Sequence, residues 1–262
     1  MSIEDLEQFT KETINIPNVN FSGLEVPVVE DILEALTTIM QKYPALKNTI
    51  CSFGPNEDIN NQYNLIANSN KKREVKWQDF VVNHGETLTS VCIGKRIPII
   101  KKGYAVRLQS FIAIAYNDIL MGKDIAELNL KAKVNADFGF HPKHCTKFQC
   151  NIYHEVGHIL DFILNLKHDE KLFRIIEEHG SDYFNIVKNI SEYAVEGGIG
   201  DIIAEAFAEY IVCPDSNNLI NSIGSYIDYK YKLFEDSKVF KINNKFNKYS
   251  KVDNELFGNK KR

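Results

Sequence analysis

The stretch His154-Glu155-Val156-Gly157-His158 sets two imidazoles four positions apart with a carboxylate next to the first. On a helix, residues i and i+4 share a face, so both rings can offer a nitrogen to one metal ion. Zinc suits such a pair, and the intervening glutamate is placed to act as general base toward a water. Asp161 falls within about 40° of the first histidine on the same helical stripe, which makes it a candidate outer partner of the site. Ile152, Val156, Ile159, Leu160 and Ile163 fall on the opposite side, giving the segment one apolar face. Gly157 leaves room for a neighbouring segment to come close. By itself the pentad favours zinc over its bland alternative, a pair of histidines on a wet helix face. A metal site needs a third ligand.

Residues 201–212, "DIIAEAFAEYIV", supply a second helix whose interior is apolar almost all round. Asp201, following the glycine-rich "EGGIG", reads as its N-cap. Glu205 and Glu209 lie one turn apart on this otherwise buried helix. Two ionised carboxylates there are costly without partners. A zinc ion would neutralise one and a histidine N–H would satisfy the other. The expected ligand set is therefore His154, His158 and Glu205. Glu209 is expected to accept from the ring of a ligand histidine, His154.

The two motifs together, "HEVGHILD" and "EAFAEY", resemble the gluzincin zinc peptidases. "HEVGHILD" with "ISEYA…EAFAEY" is similar to the catalytic domain of anthrax lethal factor and its relatives, including secreted proline-specific endopeptidases. That resemblance implies a zincin-like fold, zinc on His154, His158 and Glu205, water activation by Glu155, and oxyanion stabilisation by Tyr193. The insertion "VEGGIGDII" sets Tyr193 farther from the glutamate than in lethal factor, so Tyr183 and Tyr210 are its alternatives. A longer likeness, over residues 18 to 235, is to metallopeptidase-like domains of phage and prophage proteins, some fused to minor head proteins. It is carried by "FSGLEVPVVEDILEALTTIMQKYPALKNTI" and "FGFHPKHCTKFQCNIYHEVGHILD", although a glycine is more usual than His144. It implies one unit across nearly the whole chain and phage head components as partners.

The elements needed to hold such a site can be read along the chain. "VPVVEDILEALTTIMQK" (26–42) has helical apolar spacing and stops just before Pro44. Residues 51–75 are polar and Asn-rich, and read as loop or short elements. "VKWQDFVVNH", "ETLTSVCIGKRIPII" and "YAVRLQSFIAIAYNDIL" read as strands. "IAELNLKAKVN" (125–135) reads as one more, and a strand within 125–137 is expected to align a peptide substrate by main-chain pairing. Strands followed by helices imply an α+β chain, divided softly into 1–95 and a catalytic 96–262.

Composition narrows the functional classes. With 262 residues, 44% hydrophobic and 25% charged, the sequence is that of an ordinary globular chain. A net charge of −4 gives no reason to expect nucleic acid. The basic runs at 71–76 and 238–262 read as solvated surface. The acidic start has no signal-peptide pattern, no stretch has the length of a membrane helix, and five scattered cysteines suggest reduced thiols. The expected setting is cytoplasmic, or carriage in a phage particle. "HPKHC" with Cys150 lacks the paired spacing of a zinc knuckle, so His141-Pro142 reads as shaping the loop into the pentad helix. The expectation is a zinc endopeptidase acting on peptides or proteins. Its rival is a phage or mobile-element structural protein that keeps the fold without turnover.

Overall fold

The apolar residues of 26–42 fall into one stripe, and the computed structural model, which describes residues 1–68, 90–101 and 104–237, buries that stripe. Before it, α1 (Ile3–Phe9) starts on a capping box in which Ser2 and Asp5 bond each other's backbone N–H. A π-helical turn (Thr10–Ile14) and a short strand β1 (Asn18–Val19) follow. Helix α2 (Val26–Lys42) opens with Pro27 in its first turn and packs Val29, Ile32, Leu36 and Ile39 into the core.

The Asn-rich segment is more ordered than its composition suggests. It holds strand β2 (Ser52–Pro55) and helix α3 (Asn56–Asn68). Ile59 is fully buried, and Tyr63 packs edge-on against Phe111. Packing against the sheet overrides weak helix propensity here. Strands β3 (Ser90–Lys101) and β4 (Tyr104–Tyr116) form where strands were expected, whereas "VKWQDFVVNH" lies outside the described residues.

The sheet has the order β1-β2-β4-β3, with β2 parallel to both β1 and β4, and β3 antiparallel to β4. Of its two inner strands, β4 carries the continuous apolar run Phe111–Tyr116, buried throughout, as fits a strand covered on both faces. Residue 95 lies inside β3, so the sheet takes strands from both sides of that position.

The expected strand at 125–135 is instead a helix, α4 (Ile125–Asp137), N-capped by Asp124. Leu128, Ala132 and Ala136 are its buried stripe, while Leu130, Val134 and the following Phe138 form an exposed one. Two i+4 series offset by two residues produce an alternating pattern that mimics a strand. The substrate-pairing role expected of this segment therefore has no strand to rest on.

Among the described residues, seven further helical segments follow: α5 (Gln149–Leu164), a 3₁₀ turn (Leu166–His168), α6 (Glu170–Glu178), α7 (Tyr183–Asn189), α8 (Glu192–Glu196), α9 (Ile199–Val212) and α10 (Asn218–Asp236). The result is an α+β chain, mostly helical around a small four-stranded sheet. None of the described helices is long and apolar enough to cross a membrane. Cys51, Cys145, Cys150 and Cys213 are free thiols.

Two close approaches fix α5 in place. A Cβ on Gly157 would lie 2.7 Å from the Ala204 Cα, so α5 and α9 touch backbone to backbone. A Cβ on Gly94 would lie 2.7 Å from the Phe162 ring, which seats β3 on the same helix.

Candidate metal centre

His154 and His158 stand one turn apart on α5, facing α9 across the Gly157–Ala204 contact. Their Nε2 atoms lie 3.0 Å apart. Asp201 Oδ1 completes the triangle, 3.5 Å from His154 Nε2 and 3.4 Å from His158 Nε2. Tetrahedral bonds of about 2.0–2.1 Å place neighbouring donor atoms about 3.3 Å apart. The three observed edges match that spacing, and among the described residues this is the group able to hold an ion.

Asp201 reaches this point because of the glycines before it. Gly198 adopts φ +78° ahead of α9, which puts Asp201 at the third helical position instead of the expected N-cap. A Cβ on Gly197 would sit 2.0 Å from Asp201 Oδ2, so only glycine leaves space for the carboxylate. The acid also lies in the first turn of α9, where the helix dipole favours negative charge.

Glu205, the expected third ligand, is placed differently. Its Oε1 accepts from His154 Nδ1 at 2.7 Å, on the side of the ring away from Asp201. Its Oε2 accepts from His141 Nδ1 at 3.1 Å and from Ser191 Oγ at 2.9 Å. Both oxygens are thus committed to protein donors, and Glu205 orients the ring of His154 from behind. That is the role expected of Glu209. Glu209 instead accepts from His144, at Nδ1 (2.6 Å) and at the backbone N–H (3.1 Å), and from Ser216 Oγ (2.7 Å). Asp161 also departs from expectation: it is buried and accepts from the Lys167 backbone N–H at 2.7 Å, fastening the chain just past α5.

Glu155 is buried and, with His154, borders a cavity of about 220 Å³. Tyr193, His141 and Glu205 line it too, and Leu128, Ala132, Phe140 and Phe148 make much of the wall apolar. Asp201 and His158 are not among its walls, so the cavity meets the centre at His154 and Glu155. The Tyr193 ring lies 5.7 Å from that of His154. Of its alternatives, Tyr183 is half exposed and packs on Phe184, and Tyr210 donates to Asp228.

Charge explains how these side chains hold together. Burial disfavours a charged His154, but hydrogen bonds to Asp201 and Glu205 and the negative charge of Glu205 and Glu155 outweigh it, raising the ring to about 10. Burial likewise opposes ionised Glu205, yet hydrogen bonds from His141 and His154 lower it to about 2. Asp201 is also held below the usual carboxylate range, against burial, by His154 and His158. Burial and then the charges of Asp201, Glu155 and Glu205 push the Tyr193 phenol up, so it stays a donor.

Buried Glu155, Asp201 and Glu205 crowd around two imidazoles, and a cation would offset that excess of negative charge. Two imidazole nitrogens and one carboxylate oxygen suit a transition metal such as zinc better than magnesium or calcium. Sequence reasoning missed Asp201 as a donor, and Ser191 and His141 as partners. The available signal was the i, i+4, i+8 repeat of Asp201, Glu205 and Glu209. Comparison with protein-family models, curated proteins and solved structures finds no match.

Proposed function

We propose that the protein is a metal-dependent peptidase of zincin type, with zinc held by His154, His158 and Asp201. The convergence of these three donor atoms, with His154 and the buried Glu155 also bordering a cavity, carries the reading. The lethal-factor resemblance supports it and fits better with the ligand moved one turn. Tyr193 precedes Glu205 by twelve residues but Asp201 by eight, which reduces the excess separation that the insertion introduced.

Bound zinc supplies a Lewis acid and lowers the pKa of water. The remaining chemistry belongs to the chain. Glu155 takes the proton of the attacking water and passes it to the leaving amine. Tyr193, kept protonated by its surroundings, donates to the carbonyl oxygen as negative charge develops there. Glu205 holds the Nδ1–H of His154, leaving Nε2 as the donor toward the ion.

The decisive experiment is peptide-library cleavage by zinc-loaded wild type and Glu155→Gln. The variant is expected to keep zinc by elemental analysis and lose cleavage. Equal turnover by both would reject Glu155 as base, and failure of the wild type to bind zinc would reject the reading.

A further inference from the structure

One buried carboxylate serves two imidazoles. Glu205 holds His154 through Oε1 and His141 through Oε2. The two rings differ in what the other nitrogen does. His154 Nε2 faces Asp201 and His158, whereas His141 Nε2 makes no hydrogen bond among the described residues. His141 nevertheless lines the cavity beside Glu155 and Tyr193, and its side chain keeps 24% exposure. Its ring packs against those of Phe140 and Tyr193, with centroids 5.1 and 5.3 Å away, and those two rings also touch each other at 5.5 Å. Its backbone N–H is tied to Asn135 O at the end of α4, and the adjoining Phe140 O accepts from Tyr193 N.

An ionised carboxylate only accepts, so Nδ1 carries the proton toward Glu205. Nε2 then sits across the ring, directed away from Glu205 and available to whatever occupies a mostly apolar cavity. A polar atom held in place and without a partner among the described residues at such a place is poised for a ligand.

We propose that His141 is a catalytic residue that contacts substrate through Nε2, as a second donor beside Tyr193 to the carbonyl oxygen under attack. This rests on the peptidase reading for its role, though not for the contact. In the donating state the ring is an imidazolium, and the Glu205 carboxylate balances its charge. No proton leaves the ring; the hydrogen bond strengthens as the oxygen becomes negative.

Two substitutions separate contact from scaffolding. Asn places its amide nitrogen where Nδ1 is, so His141→Asn keeps the bond to Glu205 and removes the cavity-facing donor. Gln places its nitrogen near Nε2, so His141→Gln does the reverse. With zinc-loaded protein and fluorescein-casein, the contact predicts His141→Asn to lose about 100-fold in kcat. His141→Gln should stay within about tenfold of wild type, and both should keep zinc. Equal losses, or His141→Asn as the more active variant, would overturn the assignment.

A readout independent of cleavage is the ring ¹⁵N spectrum of zinc-loaded Glu155→Gln protein during addition of casein peptides. His141 Nε2 should shift while Nδ1 stays put, and an unmoved Nε2 overturns the contact. A shifted Nε2 in a protein whose wild type cuts nothing would uphold the contact and reject the peptidase reading instead.

Discussion

Asp201 and Glu209 begin and end one stripe of acids on α9, eight residues apart, and both are buried and paired with histidine. They differ in the number of competing donors. Glu209 receives a ring nitrogen, a backbone N–H and a hydroxyl, all from the protein, and ties the loop before α5 to the chain after α9. Asp201 faces two Nε2 atoms 3.4 and 3.5 Å away, too long for strong charge-assisted bonds. A saturated carboxylate reads as structural, and the under-bonded one facing paired imidazoles is the proposed ligand. Glu205, between them, shares features of both ends.

Breaking the Asp201 end should have the largest effect. Asp201→Asn is expected to weaken zinc binding well beyond the roughly 10–100-fold that outer partners typically cost, measured by competition with a chelating dye. Glu205→Gln should fall within that 10–100-fold range in the same assay, because it loosens a ring instead of removing a donor. At the far end, Glu209→Gln should leave zinc affinity within about twofold. It should instead lower Tm by several degrees, reflecting about 1–3 kcal/mol of lost buried hydrogen bonding. If Glu209→Gln shed zinc as readily as Asp201→Asn, the distinction between the two ends would collapse.

A further effect concerns pH in the protein freed of zinc. His154 is raised from 6.5 to about 10, so its contribution to stability is fully present below about 6.5 and lost as pH climbs through about 10. Glu205 is lowered from 4.5 to about 2, so its contribution is present above about 4.5 and lost as pH falls through about 2. Denaturant melts should show the alkaline loss without zinc and a weaker loss with it, since the ion then takes the place of the proton. An alkaline limb of equal depth in both forms would mean that His154 does not exchange a proton for the ion.

The sequence carried one half of this centre well. The helix and its phase follow from the pentad and its apolar face, and α2, β3 and β4 are equally legible from spacing. Choosing among three acids on α9 required something no local pattern contains, namely how that helix is rotated and shifted against α5. The Gly157–Ala204 contact sets this register, and it brings Asp201 level with the two Nε2 atoms. His141, His144 and Ser191 enter from the loop before α5 and the start of α8, where position is decided by tertiary hydrogen bonds. In α4 the exposed apolar stripe hid the buried one.

The contact between Gly157 and Ala204 also separates what can vary in this centre from what cannot. Donor spacing is inherited from two main chains in touch, so the side chains that would reach an ion are attachments to a fixed gauge. A different donor at position 201 would alter which metal is preferred while keeping the same gap. One methyl group at position 157 would widen the gap for every donor at once, without changing the chemistry of any of them.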